Sequence, residues 1–387
     1  MQILHIDTER GWRGGERQAL WLAVELQRRG HRSFVAARPG EPLALAAESA
    51  GLDVIPSAPS FETDPRVVLQ LRREIIARHI DVVHAHTGHA VGLGALATVA
   101  TDAPLIVARR VDFHLRRNIA TRWKYTRAAA IVAISRAVAA VVESDGIDPE
   151  RIVIVPDGTD VHRRIAPASQ ETLVTLGVKS GAPLVVQVAQ LVPHKDPLNF
   201  VRAIVAARAR YPSLQALLVG DGPLRSEVMR EVRAFDLGDA LHLAGYRRDA
   251  DALLAAADVA VLSSQEEGMG SVLLDALLLG KPIATTLAGG IPEVVEHDVT
   301  GLLAPVGDSE ALGEHIAQML LNPALATRLA TAARARAADF SIERLTDRTL
   351  AVYERALGGE SVDEFAATNR RTVSASAASS VSSTRAL

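Results

Sequence analysis

What most constrains this chain is an alternation, made twice, of short apolar runs with amphipathic helical patterns. In the first half QILHI is followed by a helical pattern over Gln18 to Arg29, SFVAA, a helix near Leu43 to Ala50, DVI, a helix near Val67 to Arg78, and DVVHAH. LIVAR, a basic segment, IVAIS, a helix over Arg136 to Ser144 and RIVIV complete that half. Parallel strands need crossover connections rather than tight hairpins, so the alternation predicts parallel sheets covered by helices. A second alternation starts at PLVVQVAQL and passes through helices over Pro197 to Arg210, Leu224 to Phe235, Asp249 to Ala256 and Ser309 to Leu321. Between the two lies PDGTDVHRRIAPAS, rich in turn formers and without helical periodicity, which reads as the linker. The expected organisation is two similar α/β halves facing each other, over residues 1–163 and 164–340. Ser341 is placed to cap a terminal helix over 341–357 that returns to the first half, and the Ser/Ala/Thr-rich composition of 358–387 is that of a disordered tail.

Composition narrows the function classes. At 387 residues, 48% of them apolar, the chain is long enough for two cores. A net charge of -3 argues against a nucleic-acid partner held by bulk electrostatics. The absence of cysteine excludes disulfides, thiolate catalysis and Cys-ligated metals. The N-terminus reads as a buried first strand, and the most apolar stretch, Ala128 to Val142, contains Arg136 and falls short of the roughly 20 residues a bilayer span requires. A cytoplasmic location is expected.

The chemistry concentrates in SQEEGMGSVLLDALLLG, Ser264 to Gly280. Glu267 should end a loop, Gly268 and Gly270 should let the turn present free amide N–H groups, and Ser271 should cap a helix starting near Val272 and carrying Asp275. A helix N-terminus attracts a phosphate, and flanking carboxylates accept hydrogen bonds from sugar hydroxyls, so this segment suits a nucleoside diphosphate sugar. VAQLVPHKDP places Gln190 and Lys195 in the loop leaving a strand, where Lys195 is set to neutralise a diphosphate. LLVGDGPL adds Gly220 and Gly222, AGYRRDA adds Tyr246 beside a nucleobase, and AGGIPEVV with Glu293 forms a further turn on the same edge. His84 and His86 are read as pointing to opposite faces of a strand and as insufficient for a metal by themselves. Asp249 and Asp251 have metal-binding spacing, but Asp249 is read as a helix cap.

Taken in order, these motifs resemble the family 4 retaining glycosyltransferases over roughly residues 1 to 357. GGERQALWLAVELQRRGH is similar to the family's N-terminal glycine loop and helix, ISRAVAAVVESDGIDPERIVIVPDGTD to its domain-closing segment, AQLVPHK to its phosphate-binding loop and EGMGSVLLD to its paired-carboxylate signature. The resemblance implies a glycosyltransferase B-type fold, two Rossmann-like domains around a cleft with acceptor binding in the first and donor binding in the second. It implies that Glu267 contacts the donor sugar, that Gly268, Met269, Gly270 and Ser271 hold sugar and diphosphate, and that Lys195 stabilises the leaving phosphate. It further implies that Gly14 and Gly15 approach the diphosphate from across the cleft, and that no metal or organic cofactor is needed.

The chain departs from the family pattern at three places. Asp275 stands where the second Glu is usual, Gln190 where the phosphate loop carries Arg, and Arg109 and Arg110 follow the strand where a His is often found. His86, Arg110 and His114 are the acceptor-side candidates. The run Arg109 to Arg127 holds seven Lys or Arg against the single Asp112, with Phe113, Trp123 and Tyr125 interleaved, and suits an anionic membrane or a phosphorylated acceptor. The expected partners are a nucleotide sugar and a glycan or lipid-linked acceptor. The competing readings are a sugar-nucleotide epimerase on the same fold and a nucleotide-sugar-binding protein without catalysis.

Overall fold

The computed structural model describes residues 1–116 and 118–358; Arg117 and the expected tail from residue 359 lie outside the described residues. The first half forms seven strands: Gln2–Ile6 (β1), Arg32–Ala37 (β2), Asp53–Pro56 (β3), Val82–Ala85 (β4), Leu105–Arg109 (β5), Ala130–Ala133 (β6) and Ile152–Ile154 (β7). The second forms six: Leu184–Val188 (β8), Gln215–Val219 (β9), Leu241–Gly245 (β10), Val259–Leu262 (β11), Ile283–Thr286 (β12) and Leu302–Ala304 (β13). All pair in parallel, in the orders β3-β2-β1-β4-β5-β6-β7 and β10-β9-β8-β11-β12-β13. The last strand escapes sequence reading because only Leu302, Leu303 and Ala304 pair, too short a run to show a pattern.

Strand order fixes where a ligand can sit. Each sheet runs outward in both directions from an inner pair, β1 with β4 and β8 with β11, and the loops leaving such a pair diverge to opposite faces. The crevice beyond the carboxyl ends of these strands is the binding position of open α/β sheets. Residues after β1 and β4 (Asp7, His86) and after β8 and β11 (Gln190, Lys195, Ser263 to Glu267) therefore occupy the two crevices.

The segment 197–210 is helical as its periodicity predicts, with Asp196 accepting from Asn199 N–H and Pro197 at the first helical position. The terminal helix Ile342–Ala356 is capped by Ser341, which accepts from Arg344 N–H. It crosses to the first sheet, burying Leu345, Val352 and Tyr353 against Ile3, Leu22 and Val82. Tyr353 Oη lies 2.6 Å from His84 Nδ1, so the end of the chain is tied to the carboxyl end of β4.

Candidate active site

One cavity of about 1530 Å³ opens between the two sheets and gathers most of the predicted residues. Gly14, Gly15, His86 and Arg110 line it from the first half. Gln190, Lys195, Gly222 and Tyr246 line it from the second, with Glu267 through Ser271 and Asp275. His114 is not among them: its Nδ1 meets Asp145 Oδ1 at 2.8 Å and its side chain is largely exposed, so it orders a surface loop rather than the acceptor side.

At the carboxyl end of β11 the chain turns through Glu267 to Gly270. Gly270 has φ +82°, a left-handed conformation that a side chain would strain. The following helix begins at Ser271, with Gly270 at the cap position and no side chain capping it. Ser271 is thus the first helical residue rather than the cap, which leaves first-turn N–H groups to meet a ligand. The turn is clamped from both halves. Ser135 Oγ donates to Gly268 O at 2.7 Å and Gly290 N–H to Glu267 O at 2.9 Å. A Cβ on Gly268 would lie 2.4 Å from Arg110 O, and one on Gly14 2.5 Å from Ser271 Oγ, so glycine permits the close approach of the halves.

Both carboxylates are held by cations. Glu267 pairs with Lys195 and also accepts from Ser264 Oγ at 3.2 Å. Lys195 sits in a short 3₁₀ turn after β8, its carbonyl accepting from Ser263 Oγ at 3.2 Å. Asp275 accepts from Arg17 Nη2 at 2.8 Å, across the cleft, and Arg17 lies 4.7 Å over the ring of Trp21. Among the described residues Asp275 Oδ1 and Arg17 Nε are buried without a partner. Arg17 is a site residue that sequence reading missed. The signal was its place one helical turn into the glycine-loop helix.

The histidines correct another expectation. Residues two apart on a strand share a face, and the His84 and His86 rings lie 4.1 Å apart rather than on opposite sides. His5, opposite His84 in the β1–β4 register, completes a buried group whose ring nitrogens lie within 4.8 Å of one another. Hydrogen bonding dictates the tautomers. Arg110 Nη1, which can only donate, meets His86 Nδ1 at 3.3 Å; His86 Nε2 must then carry the proton and donate to His5 Nδ1 at 3.0 Å. Both nitrogens of His86 and Nδ1 of His5 and of His84 are thereby committed to hydrogen bonds, His5 Nε2 and His84 Nε2 are buried without a partner, and the Arg110 guanidinium beside the group opposes a cation there. Burial holds all three imidazoles well below the usual histidine range, His5 down to about 3. Arg110 Nε also donates to Asp157 Oδ1 at 3.1 Å, which fixes the guanidinium against the cleft floor.

Other expectations change in detail. Asp249 precedes the helix Ala250–Ala255 but does not cap it; both its oxygens accept from Arg247, at 2.8 and 2.7 Å, and Asp251 pairs with Arg163. Glu293 caps the helix Arg136–Ser144 of the other half instead of lining the cleft, accepting from Arg136 and Ala137 N–H at 3.0 and 3.2 Å. A Cβ on Gly222 would strike Leu191 O at 2.5 Å, so that glycine admits the neighbouring loop rather than a ligand. Tyr246 is exposed at the cleft edge.

Comparison with known families agrees with this geometry. The description Glycosyltransferase Family 4 matches residues 12–163, and Glycosyl transferases group 1 matches residues 169–336, one for each sheet. The chain belongs to the family 4 glycosyltransferases. This glycosyltransferase is 28% identical over 293 residues, 74% of each chain, to a 2-deoxystreptamine glucosyltransferase of Streptomyces kanamyceticus. It is 30% identical over 220 residues to a D-inositol 3-phosphate glycosyltransferase of Saccharomonospora viridis, a match spanning 54% of this chain and 51% of that protein. Among solved structures it is similar to Anabaena HepE in complex with UDP and glucose, with TM-score 0.80 and 23% identity over 90% of this chain and 98% of that one.

Proposed function

We propose that this glycosyltransferase moves a sugar from a nucleoside diphosphate sugar to a saccharide or lipid-linked acceptor, with retention of anomeric configuration and without a metal ion. The second half binds the donor and the first half the acceptor. The observation that carries the reading is the Lys195–Glu267 pair beside the uncapped N-terminus of the helix Ser271–Leu279, in the crevice beyond β8 and β11. A diphosphate placed there meets a helix dipole and an ammonium, while Glu267 accepts from sugar hydroxyls. Lys195 stabilises the departing phosphate, whose oxygen helps deprotonate the acceptor hydroxyl on the same face of the sugar. Metal independence is supported by the pairing of Asp249 and Asp251 with arginines. The UDP in the Anabaena structure makes UDP-sugars the first donors to test.

The basic segment is assigned to peripheral contact with an anionic membrane at its inner face. No helix of the described residues is long and apolar enough to cross a membrane. Ile119 is 89% exposed and Trp123 is exposed between the exposed Arg122 and Arg127, the composition of an interfacial patch, whereas Phe113 lines the cleft against His194, Arg110 pairs with Asp157 and Lys124 with Glu62.

Incubating the protein with a panel of nucleotide sugars, with and without acceptors and with EDTA, tests the reading. Transfer or slow donor hydrolysis that survives EDTA, with the product's anomeric configuration read by NMR, supports it. An epimerised donor, binding without turnover, or strict restoration by magnesium or manganese overturns it.

A further inference from the structure

The cavity is larger than the roughly 300–1,000 Å³ a single ligand usually fills, and one of its walls presents side chains to which the donor site described above gives no role. That wall is built by the loop before the helix Gly14–Arg28, by the helix itself and by the helix Pro42–Ser49, and it presents Trp12, Trp21, Pro42, Leu45, Ala46 and Ser49. We infer that it is the acceptor subsite and that its ligand is a glycoside, with a pyranose ring laid against an indole face. The inference rests on the glycosyltransferase reading and adds the acceptor's class and the residues that hold it.

Both indoles are half-buried and held in place. Trp12 packs on the cluster containing Val35, Leu43 and Leu52, and Trp21 carries the Arg17 guanidinium that binds Asp275. Rigid, amphipathic rings of this kind give contact area at little entropic cost. Among the described residues neither indole N–H has a hydrogen-bond partner within the protein, which leaves two donors at the wall. Leu45 is 52% exposed into the cleft although it lies on a helix that buries Leu43, Ala44 and Ala47. The surroundings decide between a sugar and an alkyl chain. Arg13, Glu9 and Ser49 interrupt the apolar strip with charge and hydroxyl, which suits a ring with an apolar face and a rim of hydroxyls and opposes a continuous hydrocarbon. Arg17 links wall and donor site, so a ring on Trp21 lies next to the carboxylate assigned to the donor.

Tryptophan fluorescence reads this directly, because the chain has three tryptophans and Trp123→Phe leaves only the two on the wall. In that background the protein is titrated with methyl hexopyranosides and disaccharides, with and without UDP, and separately with decyl phosphate. A glycoside-dependent change in fluorescence is expected. Trp12→Ala and Trp21→Ala should each weaken glycoside binding roughly tenfold or more, while the Phe variants, which keep an aromatic face, stay close to the parent and the Trp12 variants leave UDP affinity unchanged. The inference is overturned if UDP binds but no glycoside perturbs the indoles, if the Ala variants bind glycosides normally, or if decyl phosphate alone occupies the wall. Failure of UDP and UDP-sugars to bind would instead strike the donor assignment, and the glycoside titration without nucleotide still judges the wall separately.

Discussion

Breaking the Arg17–Asp275 pair should cost more than its single hydrogen bond suggests, because Asp275 is only 7% exposed and Arg17 18%. For unit charges about 4 Å apart at an effective dielectric of about 20 the attraction is on the order of 4 kcal/mol, of which burial takes back a substantial part. A net coupling of about 2 kcal/mol is expected. Arg17→Ala leaves the carboxylate buried with neither oxygen partnered and removes the stacking on Trp21, so it should destabilise by about 3 kcal/mol. Asp275→Ala leaves a longer, more exposed guanidinium free to turn toward water and should cost about half as much. The double variant should therefore be more stable, by about 2 kcal/mol, than the sum of the single losses predicts. Urea unfolding of the four proteins measures the cycle, and UDP titration of the same set reads its effect on the cleft. Additivity within about 0.5 kcal/mol would refute the argument, since it would mean that the pair bridging the halves carries no energy of its own.

Glu267→Ala should leave the fold intact by circular dichroism but cut transfer by roughly 10²-fold or more, because its carboxylate faces the cleft at a loop end; near wild-type turnover would remove Glu267 from the site. Replacing Arg116, Arg122 and Arg127 by Gln should weaken sedimentation with anionic vesicles, by about 1 kcal/mol for each residue near the bilayer, and spare donor affinity; wild-type binding that ignores both salt and these changes would discard the membrane contact. Acid should destabilise the protein: His5, His84 and His86 are held neutral in the folded state and take up protons only on unfolding below about pH 6.5, so their contribution is lost as pH falls. Asp7, raised to about 7 chiefly by its burial, and Asp157, raised by burial, act in the opposite sense, but the three buried imidazoles outnumber them, so the urea midpoint should fall as the pH drops below about 6.5.

The sheets were legible because period and order are local properties: a helix such as Arg136–Ser144 announces itself by periodicity and by Ser135 at its cap, and the strands by apolar runs at the expected intervals. The cleft residues of the second half were legible for a related reason, since strand ends, glycines and a helix start gather Lys195, Glu267 and Ser271 by topology alone. What was not legible depended on contacts made at long range. Nothing in the neighbourhood of Arg17 says that it will meet a carboxylate 258 positions later, nor does AGGIPEVV say that Glu293 will cap a helix of the other half. His114 misled because a histidine near a strand end looks the same whether it faces a cleft or a loop aspartate.

The departures from the family pattern become intelligible together once the halves are seen in contact. A shorter carboxylate at Asp275 leaves room for a guanidinium, and Arg17 fills it from the opposite wall. The neutral Gln190 leaves the phosphate loop one charge short, and Arg110 brings a fixed cation to the cleft floor beside Gly15, whose Cβ would lie 3.9 Å from Arg110 Cδ. Besides Asp157, His86 holds Arg110 there by accepting at Nδ1, and His86 can accept there only while its Nε2 keeps the proton that it donates to His5 Nδ1. Protonating either imidazole would set two donors against each other in a buried site, a cost that the unfolded chain does not bear. The acid sensitivity predicted above and the placement of Arg110 are thus one property. A variant that relieves the first, such as His5→Gln, should keep the sheet but loosen Arg110, and should show it as a weaker hold on the nucleotide sugar rather than as a lower melting temperature at neutral pH.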